Sequence, residues 1–144
     1  MPKFLTVSPT HIPGKKPYAW QNFLRGGYAA IGWLPDVNLT GKTIETVIEL
    51  IRAEQYDNEA AAIRSFEKFL ALRPSDYIGV NNTNDGLFGI GEVRSNYKYE
   101  KGKHDTGASD PRDLEEFYSH YVDVHWVVTS YTRRKAILTE GETG

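Results

Sequence analysis

The chain has 144 residues, 40% of them apolar and 25% charged, the mix of an ordinary soluble globular domain, and a single domain of this length buries about 68 to 70% of its unfolded surface. It contains no cysteine, which excludes disulfides, thiolate zinc sites, iron–sulfur clusters and a cysteine nucleophile, and points to the cytoplasm. No secretory signal is read, apolar stretches such as Tyr28-Ala-Ala-Ile31 are far shorter than the roughly 20 residues that span a bilayer, and a net charge of -2 lacks the basic excess of a non-specific nucleic-acid binder.

Lys3-Phe-Leu-Thr-Val7 is apolar and β-branched and reads as a first strand, stopped by Ser8-Pro9. Residues 9–27 hold three prolines and the pair Gly26-Gly27 and read as irregular. Gly27 to Trp33 reads as a second strand, ended by Leu34-Pro35. Two helices are expected next. Thr43 caps a segment with Ile44, Val47, Ile48 and Ile51 on one face, and Asn58 caps a second whose stripe is Ala62, Ile63, Phe66, Phe69 and Leu70, ended at Arg73-Pro74. Asp76 to Asn81 and Gly86 to Arg94 read as a strand hairpin across Asp85-Gly86. Gly102 to Asp113 is the sizeable loop. A last strand runs from Tyr121 to Val128, with Tyr121, Asp123, His125 and Val127 on one face and Val122, Val124, Trp126 and Val128 on the other. Helices inserted into a mostly antiparallel run of strands predict an α+β fold, a small curved pseudo-barrel with helices packed around it. The domain is expected over residues 1–138, with 139–144 a flexible tail.

The usual catalytic signatures are missing. Gly89-Ile-Gly91 lacks the third glycine of a dinucleotide fingerprint and sits inside a strand. There is no G-x-x-x-x-G-K-[ST] loop and no G-x-S-x-G elbow, and no cofactor or metal is expected. His120, Asp123 and His125 form the one tight cluster of histidine with carboxylate, with Asp123 and His125 on one strand face. That spacing fits no metal signature, and its plainer reading is a strand histidine beside a convenient aspartate. Trp126, alternating with valines, reads as core.

Charge and aromatic distribution carry more. Residues 1–35 contain Lys3, Lys15, Lys16 and Arg25 and no Asp or Glu, enough for a positive surface facing a phosphate backbone. Tyr18, Trp20, Phe23, Tyr28 and Trp33 crowd that segment, and Tyr97, Tyr99, Phe117, Tyr118 and Tyr121 bracket the long loop. Aromatic planes beside cations are what a protein needs to stack an extruded base while neutralising phosphates.

Asp76 to Asn81, Leu87-Phe-Gly-Ile-Gly-Glu-Val93 and Tyr121-Val-Asp-Val-His-Trp126, preceded in order by Lys3-Phe-Leu-Thr-Val-Ser8 and Ile31-Gly-Trp33, resemble the core of the EVE and YTH domains of the PUA-like superfamily. Within it the chain looks most like the amino-terminal domain of McrB-type modification-dependent restriction proteins, in which a GTP-hydrolysing AAA+ motor follows; that resemblance makes residues 139–144 the start of a linker to such a motor, the alternative being a free-standing EVE protein. The resemblance implies a non-catalytic reader of double-stranded DNA carrying N6-methyladenine or a 5-substituted cytosine, flipped into an aromatic cage, in a prokaryotic restriction system with motor and nuclease partners. It assigns the cage to Trp33 and Tyr118, with Tyr97, Tyr99 or Phe117 replacing a tryptophan this sequence lacks. Base-edge contacts fall to Ser8, Asn82 and Asn84, and phosphate contacts to Lys15, Lys16, Arg25, Arg133, Arg134 and Lys135. The alternatives are a YTH-like reader of modified RNA and a small ASCH-like enzyme using His120, Asp123 or His125 with a nearby lysine.

Overall fold

In the computed structural model, the described residues are 2–7, 18–81, 86–105, 117–129 and 132–133. The elements in chain order are β1 (Phe4–Val7), α1 (Tyr18–Gly26), β2 (Tyr28–Ile31), α2 (Ile44–Glu54), α3 (Glu59–Phe69), β3 (Tyr77–Asn81), β4 (Gly86–Val93), β5 (Lys98–Asp105), β6 (Phe117–Val128) and β7 (Thr132–Arg133). The strands form one curled sheet in the order β1-β3-β4-β6-β2, with β5 on β6 and β7 on β4. Every pairing is antiparallel except β1 with β3. This is the α+β half-barrel that the strand and helix order predicts.

Helices α2 and α3 start where their caps lie. The Thr43 hydroxyl accepts the Thr46 N–H, and the Asn58 side chain accepts the Ala61 N–H, each satisfying one of the orphan donors of a first turn. Their inner faces bury Val47, Ile51, Ala62, Phe66 and Phe69, and each of the four larger side chains contributes roughly 1.5–3 kcal/mol by leaving water. Phe66 is fully buried and reaches the site described below.

Four elements depart from the sequence reading. Inside the stretch read as irregular, α1 forms with Ala19, Trp20 and Phe23 buried, ending at Gly27, whose φ of +68° and N–H bond to the Phe23 carbonyl make a left-handed cap. The first four residues of the loop expected over Gly102 to Asp113 are strand, and the rest of it lies outside the described residues. Gly102 to Asp105 completes β5, paired to β6 across an irregularity between Tyr99 and His104, because an edge strand is specified by its partner's free backbone groups more than by its own pattern. The second strand ends at Ile31 and not at Trp33, since Trp33 and Leu34 both have positive φ and cannot continue a ladder. The last strand, conversely, begins at Phe117.

The glycine pair inside β4 is structural. A Cβ on Gly89 would lie 2.5 Å from the Val128 carbonyl oxygen and 2.6 Å from the Trp20 ring, and one on Gly91 would lie 2.3 Å from Val124. Trp126 is locked in the same region, donating its Nε1–H to the Phe23 carbonyl at 2.9 Å and meeting Trp20 edge to face at 5.0 Å.

Candidate functional site

Where β2 ends, the chain makes an uncommon turn. Trp33 has φ +64° and Leu34 φ +45°, two consecutive side-chain-bearing residues in the left-handed region. Such conformations cost of order 1–3 kcal/mol each and persist only when the surroundings impose them.

Here the surroundings are four polar side chains. His120, buried in β6, donates Nε2–H to the Leu34 carbonyl at 2.8 Å. Because a carbonyl only accepts, that nitrogen carries the proton, and Nδ1 accepts from the Tyr97 hydroxyl at 2.6 Å. The Tyr97 oxygen in turn accepts the Leu39 N–H at 3.2 Å. Tyr56, following α2, accepts the Leu34 N–H at 2.9 Å, and the Tyr99 hydroxyl donates to the Pro35 carbonyl at 3.0 Å. Burial holds His120 below the usual histidine pKa, so the ring is neutral as this network requires. Burial likewise pushes the Tyr97 hydroxyl up to about 12, keeping it a donor.

Around the imidazole stand Phe66 at 5.2 Å, Tyr97 at 5.7 Å and Tyr99 at 5.3 Å between ring centroids. Trp33 is half-buried, tilted against Phe66 at 6.4 Å. Trp33, Tyr97 and Tyr99, three of the cage candidates, thus stand at one corner, Tyr97 and Tyr99 against His120 and Trp33 against Phe66 beside it. Tyr118 lies deeper, 3% exposed, against Phe23 and beneath Gly32. Phe117 opens β6, and nothing is described of its side chain.

The polar and basic candidates are dispersed. Ser8, Asn82, Asn84, Lys15, Lys16, Arg134 and Lys135 fall outside the described residues, and of Arg133 only the backbone in β7 is described. Arg25 is exposed at the end of α1 and donates to Asn22 and Gln21. Lys3 is turned to an internal task, bonding the Ala71 carbonyl at 2.6 Å and pairing with Asp76 at 3.7 Å. The histidine–carboxylate cluster separates. His120 faces inward, Asp123 pairs with Lys98 at 2.6 Å, and His125 is exposed opposite Glu92.

Sequence reading missed a second aromatic group on β5 and β6. His104 stacks on Tyr28 at 3.7 Å between centroids and meets Tyr121 edge-on at 4.4 Å. Its Nε2 is buried without a hydrogen-bond partner among the described residues, and burial lowers its pKa to about 4. Over the Tyr121 ring lie the ammonium groups of Lys103 at 5.0 Å and Lys98 at 6.0 Å. Those lysines are neutralised in pairs, Lys103 with Glu100, Lys98 with Asp123 and, farther along β5, Lys101 with Asp36. The aromatic spacing around the loop was visible; a highly charged segment folding as a strand was not.

Fold and site together define a small α+β domain with a strained, half-exposed tryptophan held by a histidine–tyrosine network. The chain belongs to the family described as Domain of unknown function (DUF8426), which matches residues 6–142. No curated protein matches it. Among solved structures the chain is similar to the YTH domain of the Zygosaccharomyces rouxii MRB1 protein, crystallised in complex with N6-methyladenosine RNA, with a TM-score of 0.46 and 12% identity. The match covers 94% of this chain and 64% of that one, so the chain spans under two thirds of that structure's length.

Proposed function

We propose that this domain reads a modified base, N6-methyladenine or a 5-substituted cytosine, flipped out of double-stranded DNA onto Trp33, and that it is the non-catalytic specificity module of a modification-dependent restriction system. The observation that carries the reading is the pair of left-handed residues at Trp33 and Leu34. Strain of this kind at a solvent-facing indole, pinned from beneath by His120, Tyr56 and Tyr99, has no role in building the sheet and does fix one face of an aromatic wall. An indole plane stacks any base. A methyl group on that base adds roughly 0.8 kcal/mol of apolar burial, about a fourfold preference, before any hydrogen bond reads the ring edge. Ser8, Asn82 and Asn84 are the proposed edge readers, and Tyr97, Tyr99 and Tyr118 support the wall. Extrusion costs a few kcal/mol, so phosphate contacts must supply affinity and binding must weaken with salt.

The test is a titration of the chain against duplexes carrying N6-methyladenine, 5-methylcytosine, 5-hydroxymethylcytosine or no modification, with wild type and Trp33→Ala. Preference for one modified duplex, lost in the variant, is expected. Equal affinity for all four overturns the reading. Stronger binding to a matched methylated RNA reassigns the target to RNA.

A further inference from the structure

On the face of α3 that adjoins its core stripe, a groove of about 250 Å³ opens between the helix and β1, lined by Phe4, Leu5 and Thr6 on one wall and Arg64, Ser65 and Lys68 on the other. We propose that this groove binds one nucleotide of a single-stranded polynucleotide segment, its phosphodiester between Arg64 and Lys68 and its base against Phe4. The proposal deepens the reading above and rests on it for the choice of a polynucleotide as ligand.

Four observations support it. Arg64 and Lys68, four apart and therefore neighbours on one helix face, repel each other, yet neither has a carboxylate partner among the described residues. The β5 lysines, by contrast, are each paired with an acid. Among the described residues no carboxylate lines the groove, and Glu67 projects from another side of the helix, 100° per residue from its neighbours. The Ser65 and Thr6 side chains add hydroxyl donors between and opposite the two cations. Finally, Phe4 is 39% exposed beside its register partner Tyr77, equally exposed. A Cβ on Gly79 would come within 3.0 Å of the tip of the Phe4 ring, so the missing side chain on β3 leaves room for the ring beside the groove. The volume is below the roughly 300–1,000 Å³ of pockets for drug-sized ligands, which suits one chain unit better than a whole cofactor. Unpaired cations beside an exposed aromatic ring are the elements by which proteins track single strands.

The groove and the Trp33 cluster share α3. Ala62, Phe66 and Phe69 occupy its core face, and Arg64, Ser65 and Lys68 the adjoining face, so a strand delivering a base to Trp33 has a charged course along the same helix.

The test uses the full chain and a fluorescent 12-nucleotide single strand, with or without one modified base, titrated at salt concentrations from 50 to 200 mM. Each single-strand phosphate contact contributes a slope of about -0.7 to log K against log salt. The R64Q/K68Q variant, altered only at exposed positions, is expected to lose about 1.4 from that slope and about 20-fold in affinity near 0.1 M salt, equally for modified and unmodified strands. Phe4→Ala is expected to lose fivefold or more with the slope retained. An R64Q/K68Q slope equal to wild type overturns the proposal, as does strand binding displaced by inorganic phosphate and not by chloride at matched ionic strength, which marks a lone-anion site. A changed slope combined with equal affinity for the modified and unmodified duplexes upholds the groove and overturns the base-reading function.

Discussion

Replacing Tyr97 by phenylalanine removes one hydroxyl and leaves the ring beside His120. The cost follows from what the oxygen satisfies. It donates to His120 Nδ1 at 2.6 Å and accepts the Leu39 N–H at 3.2 Å, and both partner residues are buried, at 0% and 2% exposure. A buried polar group deprived of its partner costs about 1–3 kcal/mol. Two such groups beside a half-buried ring, where water reaches part of the way, put the loss at about 2–3 kcal/mol. Unfolding entropy near 2.1 cal/mol/K per residue gives about 0.3 kcal/mol/K for a chain of this length, so the melting temperature is expected to fall by about 7–10 °C. Tyr99→Phe serves as the control. It releases only the Pro35 carbonyl, through a surface-exposed bond, and is expected to cost less than about 1 kcal/mol, or about 3 °C. Thermal melts at pH 7.5, where His120 is neutral in both folded and unfolded chains, compare the two. A Tyr97→Phe loss under about 2 °C, or no larger than that of Tyr99→Phe, refutes the view that the Leu39–Tyr97–His120 chain holds the site.

Acid should destabilise the protein before its carboxylates titrate. His104 and His120 both have folded pKa values below the unfolded value of about 6.5. The unfolded chain therefore binds more protons in that window, and stability is complete above about pH 6.5 and declines toward about pH 4, where His104 titrates in the folded chain. Urea midpoints at pH 7.5, 6 and 5 should fall less steeply in His104→Gln; an identical fall contradicts the assignment. Gln55 closes α2 at φ +55°, bonding the Arg52 carbonyl through its N–H. Gln55→Gly relieves that strain and is expected to raise the melting temperature by about 2–3 °C, corresponding to roughly 0.5–1 kcal/mol, and a decrease argues that the glutamine side chain matters. Gly91→Ala places a Cβ 2.9 Å from the His125 carbonyl and 2.3 Å from Val124 Cγ1, where backbone cannot yield. A loss of about 3 kcal/mol is expected by thermal melt, and a loss under about 1 kcal/mol means the β4–β6 spacing is looser than drawn.

The elements legible in the sequence are those that carry their own pattern. Thr43 and Asn58 cap helices with a 3.6-residue stripe, β3 and β4 flank a turn signal, and β6 alternates. Helix α1 was hidden by the prolines before it, although Gly26-Gly27 is the terminator a helix uses. β5, reading Lys-Tyr-Glu-Lys-Gly-Lys-His-Asp, has almost no apolar face, and its strand identity comes from β6 and from ion pairs with Glu100, Asp123 and Asp36. At the site, the position of Trp33 before Leu34-Pro35 was readable, but its left-handed backbone was not, because nothing local demands it. His120 was grouped with Asp123 and His125 by proximity along the chain. Its working partners are Tyr97 and Leu34, 23 and 86 residues away, and only the tertiary fold joins them.

Residues 34–39 contain no helix or strand, yet the Leu34 N–H and carbonyl, the Pro35 carbonyl and the Leu39 N–H are each bound by a side chain from elsewhere in the fold. Three tyrosines and a histidine thus replace the hydrogen bonds that regular structure would provide. A segment meant to open and close gains little from being fixed at four backbone atoms, whereas one meant to present an indole in a single orientation gains a great deal, since a receptor already ordered loses less entropy on binding. The strain at Trp33 and Leu34 and the network beneath them are therefore one device, in which the cost of two left-handed residues is offset by bonds that release of the turn would leave unmade. On this argument His120, through its bond to the Leu34 carbonyl, fixes the backbone that carries Trp33.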